Sequence, residues 1–230
     1  MFVRHRYYCQ LVERFLKRPF RWRSSNARGL AAAVLPFTDA AEGATVAAMT
    51  QPLPPVFTRT VPDGDSRERA VCGTCGFVNY ENPKIVVGSV VRHEDRILLC
   101  RRAIEPRRGF WTVPAGYLEL HETPEDGARR EAREEANAAL TLEGLLAVYS
   151  VPRLSQVQLI YRATLAEPAF SPGEESLEVG LFGWDEIPRA DLAFPTVHWM
   201  LDHERLAQAG EAVGPFSNPH GQNEISARHE

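Results

Sequence analysis

The segment Gly116–Ala138, GYLELHETPEDGARREAREEANA, contains the clearest structural signal in the chain. Thr123 is a residue type that caps helix N-termini, and Pro124 suits the first helical position. Asn137 readily adopts the left-handed conformation that ends a helix. The segment therefore predicts a helix that begins at Pro124 and ends at Ala136.

Three carboxylates lie on one surface of this predicted helix. Glu131 and Glu135 are four residues apart, and Glu134 is three residues from Glu131. Like charges at these spacings repel, so the arrangement costs stability unless cations intervene. Neighbouring arginines supply part of that charge, and a hard divalent ion with oxygen ligands supplies more. The same pattern also fits an ordinary solvated helix face, which charge alone does not distinguish from a metal site.

The spacing of the polar residues around this helix resembles the Nudix box. That pattern is a glycine, five residues, a glutamate, seven residues, then arginine, glutamate, an aliphatic residue, any residue and two glutamates. The matching residues are Gly116, Glu122, Arg130, Glu131, Glu134 and Glu135. Asn137 stands where the family usually has glycine, which a helix terminus tolerates. Ala132 and Ala138 replace larger aliphatic residues.

The resemblance implies an α/β fold, the Nudix-type α/β/α sandwich with a mixed β-sheet. It also implies Mg²⁺ or Mn²⁺ bound by Glu131, Glu134 and Glu135, with Glu122 and Arg130 as an orienting pair. The implied reaction is hydrolysis of the pyrophosphate bond of a nucleoside diphosphate derivative. In many family members a late loop provides the base, which favours Glu175 over its acidic neighbours.

The strands expected around the helix agree with that fold. A β-branched run over Lys84–Arg92 and the following Ile97–Cys100 predict a hairpin. Thr196–Leu206 has the apolar spacing of a closing helix. Further strands are predicted at Trp111–Pro114, Leu140–Val151, Val157–Leu165 and Leu177–Trp184.

Segments outside the box resemble one Nudix subgroup, which has an N-terminal zinc-ribbon module and includes enzymes acting on FAD and ADP-ribose. These segments are Asn82–Gly88, Trp111–Tyr117, Glu175–Glu178 and Ala193–Pro195. Cys72 and Cys75 form a zinc-ribbon knuckle, but a structural zinc site needs four ligands and no second pair precedes them. We therefore expect a degenerate zinc-ribbon-like segment without zinc.

The predicted organisation has four parts. Residues 1–49 are rich in arginine and alanine, and are interpreted as a disordered or mis-assigned extension, or alternatively as an organellar transit peptide. Residues 50–80 form a truncated zinc-ribbon-like lead-in, residues 81–207 the Nudix domain, and residues 208–230 a flexible tail. A net charge of −4 disfavours nucleic acid as a partner, and no apolar run reaches membrane-spanning length. Four unevenly spaced cysteines favour a reducing compartment, hence the cytoplasm.

Candidate substrate-binding residues lie near predicted loop mouths. Trp111 and Tyr117 are placed to stack on a base or flavin, and Arg101 and Arg102 to meet phosphates. The expected substrate is ADP-ribose or FAD. The alternatives are NADH, a nucleoside triphosphate, or a non-catalytic role as a Nudix-like ligand sensor. Family members often pair, so a homodimer is also expected.

Overall fold

The computed structural model describes residues 55–212 and 214–220. The chain divides into two compact units, one ending at Glu81 and the other beginning at Asn82. The predictions for residues 1–49 lie outside the described residues.

The first unit contains a small antiparallel sheet. Its strands are β1 (Phe57–Thr60), β2 (Arg69–Cys72) and β3 (Val78–Asn79), in the order β1-β2-β3. A tight turn joins β2 to β3, in which the Gly76 N–H donates to the Cys72 carbonyl at 2.9 Å. The Cys72–Cys75 pair thus lies on a knuckle between two strands, where Cys72 is buried and Cys75 is exposed.

The second unit is built on a mixed sheet. Its central strands have the order β10-β5-β4-β9-β8, with β6 paired to β5 and β7 paired to β4. Strands β4 and β9 are parallel, and the other pairs are antiparallel. The strands are β4 (Lys84–His93), β5 (Arg96–Arg102), β6 (Trp111–Thr112), β7 (Ala115–Tyr117), β8 (Leu140–Val151), β9 (Gln156–Leu165) and β10 (Ser176–Gly183). The predicted hairpin is therefore confirmed.

Two helices cover opposite faces of this sheet: α1 (Pro124–Ala136) and α2 (Pro195–Gln208). Side chains alternate along a strand, so neighbouring residues enter different cores. Val90 packs with the cluster that includes Trp199 and Leu201 of α2. Val91 packs with the cluster that includes Ala136 at the end of α1. The α/β/α sandwich predicted from the resemblance is confirmed.

The ends of α1 are those that the sequence predicts. The Thr123 hydroxyl accepts a hydrogen bond from the Asp126 N–H at 3.1 Å. Asn137 has φ 49° and ψ 30°, in the left-handed region. Ala128, Ala132 and Ala136 are fully buried, so the small-residue face allows the helix to lie close to the sheet.

Part of the tail that sequence analysis predicts to be flexible is paired with β8. The Phe216 N–H donates to the Leu146 carbonyl at 2.8 Å, and the Val148 N–H donates to the Phe216 carbonyl at 2.9 Å. The Asn218 amide exchanges hydrogen bonds with the Ser150 backbone. Strand β8 ends the sheet, and its edge presents backbone groups that a polar tail can satisfy. Among the described residues, no helix is long and apolar enough to cross a membrane.

Candidate active site

A cleft of about 1210 Å³ opens within the second unit. Its walls come from α1, from strands β4, β7 and β9, from the start of α2, and from the loop of residues 172–175. The segment that leads into α1 is tightly packed here, because a Cβ atom on Gly116 would lie 2.6 Å from the Glu131 carboxyl carbon. Only glycine therefore fits at position 116 without moving the Glu131 carboxylate.

Four of the predicted carboxylates line this cleft: Glu131, Glu134, Glu135 and Glu175. They differ in burial. Glu131 and Glu135 are buried, whereas the side chain of Glu134 is 57% exposed. A Glu135 carboxylate oxygen accepts a hydrogen bond from the Ala115 N–H at 3.2 Å, which ties the helix to β7. The spacing of Glu131, Glu134 and Glu135 along α1 therefore places all three side chains at the same cleft.

Arg130 lies at the centre of this acidic cluster. Its guanidinium donates to Glu122 at 2.8 and 3.1 Å, and to the Tyr117 carbonyl at 2.9 Å. It also donates to Glu131 at 2.7 Å and to Glu134 at 2.8 Å. The hydrogen bonds from Arg130 hold the pKa of Glu122 below its usual value. Arg130 therefore connects the segment before α1 to two acids of the helix.

The cluster carries more negative charge than its surroundings stabilise. Burial is the main cause that raises the pKa of Glu135 to about 8, and the negative charge of Glu131 is the second cause. Burial also raises the pKa of Glu131, against the opposing effect of Arg130. The negative charge of Glu175, which lines the same cleft, adds to the increase at both positions. Buried like charges of this kind favour a cation among them.

The chemistry of these side chains fits a hard divalent ion, because Mg²⁺ and Mn²⁺ prefer carboxylate oxygens. In the part of the chain that the structure describes, no three His, Cys, Asp or Glu side chains are already arranged to hold a metal. Arg130 instead binds oxygens of Glu131 and Glu134. The side-chain positions are therefore those of a cluster bound to a guanidinium, while its oxygen donors are of the kind that hard divalent ions prefer.

The loop that carries Glu175 is bonded to both sides of the cleft. The Gly173 N–H donates to the Glu135 carbonyl at 3.0 Å, and the Ala103 N–H donates to the Glu175 carbonyl at 2.8 Å. A Cβ atom on Gly173 would lie 2.8 Å from the Glu134 carbonyl carbon and closer still to its oxygen. The loop backbone therefore contacts the last turn of α1 directly.

Gly173→Ala is expected to lower the free energy of unfolding by about 2 kcal/mol, since the new methyl group meets backbone that has no room to move. In a domain of this size that corresponds to a Tm roughly 4–8 °C lower, measured by calorimetry. Gly183→Ala is the control, because its Cβ would meet only the flexible Glu186 side chain. Equal Tm values for both variants would contradict the close approach of Gly173 to α1.

Two of the predicted substrate-binding residues line the cleft. Tyr117 is half-exposed, and its hydroxyl accepts a hydrogen bond from the Gln156 amide at 3.2 Å. Arg102 stacks on the ring of Phe194, with 5.3 Å between the guanidinium carbon and the ring centroid. Phe194 also lines the cleft, although it is not among the residues predicted to bind substrate.

Trp111 and Arg101, the other two predicted substrate-binding residues, are not among the residues that line the cleft. Trp111 is buried and packs edge-to-face on Phe182 with ring centroids 4.8 Å apart. Arg101 donates to the Gly109 carbonyl at 2.9 Å and pairs with Glu178. Successive side chains of a strand point to opposite faces, so Arg102 and Arg101 cannot both face the same opening.

Two family models match consecutive parts of the chain. The model of the NUDIX domain matches residues 82–202, and the model described as Nudix N-terminal, a zinc ribbon, matches residues 55–81. The second range contains only two cysteines, Cys72 and Cys75. A Nudix hydrolase from Nitrosomonas europaea is a similar solved structure, with 44% identity and a TM-score of 0.67, covering 70% of this chain and 92% of that one.

Two curated proteins are similar to this chain in sequence. An ADP-ribose pyrophosphatase of Methanocaldococcus jannaschii is 28% identical over 131 residues, covering 55% of this chain and 72% of the relative. A MutT-like protein of Streptomyces ambofaciens is 32% identical over 135 residues, covering 59% of this chain and 81% of the relative. With the domain match, the sandwich fold and the acidic helix at the cleft, the chain belongs to the Nudix hydrolase family.

Proposed function

We propose that this chain hydrolyses the pyrophosphate bond of a nucleoside diphosphate derivative, with ADP-ribose or FAD as the substrate and Mg²⁺ or Mn²⁺ as the cofactor. The observation that carries the proposal is the group of four carboxylates, Glu131, Glu134, Glu135 and Glu175, in one cleft. The cleft volume of about 1210 Å³ is large enough for a dinucleotide-sized ligand.

The three carboxylates of α1 would hold the divalent ion. Glu134 is the accessible member, and Glu131 and Glu135 are the buried ones. When bound, the ion neutralises the charge that develops on the phosphoryl oxygens and orients the attacking water. Arg130 keeps Glu122 and the Tyr117 backbone in place through hydrogen bonds. A substrate phosphate that draws the Arg130 guanidinium away from Glu134 would leave that carboxylate free for the ion.

Glu175 is the proposed general base. Its side chain lines the cleft together with those of Glu131 and Glu135. Glu174 also lines the cleft, whereas Glu178 does not. A base must be within reach of the water whose proton it takes, so it must lie in the cleft whose acids would hold the ion. We assign the base to Glu175, whose backbone carbonyl accepts a hydrogen bond from the Ala103 N–H at 2.8 Å, and test it against Glu174.

The proposed substrate class is supported by the other residues that line the cleft. Tyr117 and Phe194 offer aromatic faces for a base or flavin, and Arg102 offers a cation for a phosphate. The relative named an ADP-ribose pyrophosphatase favours ADP-ribose within this class.

A panel of FAD, ADP-ribose, NADH and nucleoside triphosphates, assayed with Mg²⁺, tests the substrate. We expect ADP-ribose or FAD to be hydrolysed to AMP and a second phosphate product, with the highest kcat/KM of the panel. A preference for NADH or for a triphosphate would replace the proposed substrate. Binding without turnover of any member would favour the ligand-sensor alternative, against which the intact Glu131, Glu134 and Glu135 argue.

Adding Mg²⁺ to metal-free protein is expected to raise the thermal stability, since an ion that binds only the folded state stabilises it. At about 100 times the dissociation constant the gain is about 2.7 kcal/mol. Thermal unfolding in EDTA and in Mg²⁺, at matched ionic strength, measures it. Glu135→Gln should abolish most of the increase in Tm. If Mg²⁺ raises the Tm of that variant as much as it raises the wild-type Tm, metal binding at α1 is contradicted.

A homodimer and a cytoplasmic location stay predictions. Light scattering of the purified chain measures the first, and fractionation of cells that express the full chain measures the second.

A further inference from the structure

One side chain joins the end of α1 to the acidic loop. The Asn137 amide nitrogen lies 3.3 Å from the Ser171 carbonyl oxygen, 3.1 Å from the Ser171 hydroxyl and 3.1 Å from the Pro172 carbonyl oxygen. Two of these three acceptors are carbonyls, which cannot donate, so the amide must present its NH₂ group to the loop. The site therefore suits a carboxamide and is unsuited to a carboxylate.

The backbone at Asn137 directs this side chain toward the loop. Its left-handed conformation, φ 49°, ends the helix, and the Asn137 N–H donates to the Arg133 carbonyl at 3.0 Å. Glycine and asparagine are the residues that most readily adopt this conformation. Of the two, only asparagine also carries a side-chain donor.

The loop backbone adds contacts to the same helix end. The Ser171 N–H donates to the Ala136 carbonyl at 2.9 Å, and the Gly173 N–H donates to the Glu135 carbonyl at 3.0 Å. The last carbonyls of a helix have no partner inside the helix, so these bonds satisfy them. The loop thus enters the cleft from a fixed point, two residues before Glu175.

We propose that Asn137 is a positioning residue, which holds the loop of residues 171–175 on the end of α1 and so keeps the Glu175 carboxylate in the cleft that Glu131 and Glu135 also line. The inference rests on the proposed function, in which Glu175 takes a proton from the attacking water. Asn137 acts through the loop and does not contact the reacting atoms.

Asn137→Gly is the central test, because glycine keeps the left-handed backbone and removes only the amide. We expect kcat to fall roughly 10- to 100-fold, the effect of a misplaced reacting group, with KM changed less than about twofold. Asn137→Asp keeps the shape of the side chain but replaces the NH₂ donor with an oxygen that would face two carbonyl acceptors. We expect at least as large a fall in kcat. Wild-type kcat in Asn137→Gly would overturn the proposal.

A double-mutant cycle separates positioning from a general loss of stability. Groups that act as one unit give non-additive losses, so Asn137→Gly should cause no further fall in kcat in a Glu175→Gln background. Multiplied losses would overturn the proposal, since they would mean that Asn137 acts independently of Glu175. Circular dichroism of each variant establishes that it is folded.

Hydrogen exchange gives a readout that does not depend on activity. The amides of Ser171 and Gly173 should exchange faster in Asn137→Gly, while the Ala132 amide in the middle of α1 exchanges as in the wild type. Unchanged exchange at Ser171 and Gly173 would overturn the proposal. If Glu175→Gln retains full turnover, the assignment of the base fails on its own, and the exchange rates still decide whether Asn137 holds the loop.

Discussion

Glu134→Gln is expected to lower kcat by about 10³-fold, because an ion held by one carboxylate fewer loses several kcal/mol of transition-state stabilisation. The substitution preserves the size of the side chain and removes its charge. The Glu134 side chain is 57% exposed, and its ion pair with Arg130 contributes little to stability at such a position. We therefore expect the Tm to stay close to the wild-type value.

Steady-state kinetics on ADP-ribose over a range of Mg²⁺ concentrations measures this effect. A weakened site should also need more Mg²⁺ for half-maximal rate. Glu125→Gln is the matched control, because Glu125 is exposed on the first turn of the same helix and does not line the cleft. Wild-type turnover by Glu134→Gln at every Mg²⁺ concentration would refute the metal role of Glu134.

Glu175→Gln is expected to reduce kcat by about 10²- to 10³-fold, the usual contribution of a general base. KM should change little, because the proton is transferred only in the chemical step. Steady-state rates measured at saturating Mg²⁺ and over a range of substrate concentrations test both expectations.

Glu174→Gln is the natural comparison, since it removes the same charge from the neighbouring position of the same loop. Both residues line the cleft, and Glu175 is the proposed base. We expect less than a tenfold fall in kcat for Glu174→Gln. A larger loss in this variant than in Glu175→Gln would assign the base to Glu174.

Local signals explain why α1 could be predicted so closely. Its first and last residues depend on the capping residues Thr123 and Asn137, which act on backbone groups within one turn. The strand pairs of the sheet follow from short β-branched runs and from the alternation of side chains. The family resemblance then implied how these elements pack, and the domain match and the fold agree with it.

Other features depend on residues far apart in the chain. Trp111 is an aromatic residue of the kind that stacks on bases, but in the fold it packs against Phe182. That contact depends on how β10 pairs with β5. Phe216 lies in a segment whose sequence predicts a flexible tail, but in the fold its backbone pairs with the edge of β8. Asn137 looks like a substitute for glycine, and its bonds to Ser171 cross 34 residues of sequence.

The sequence by itself determined the acidic helix, its ends, its three carboxylates on one surface and the family to which the chain is similar, because these features repeat or interact within a few residues. Only the tertiary structure decided which groups meet at the cleft: that Glu175 and Arg102 enter it, that Trp111 and Arg101 do not, and that Asn137 bonds the loop to the helix. The physical reason is that such contacts depend on strand register and on the path of the connecting loops, which no local pattern of residues specifies.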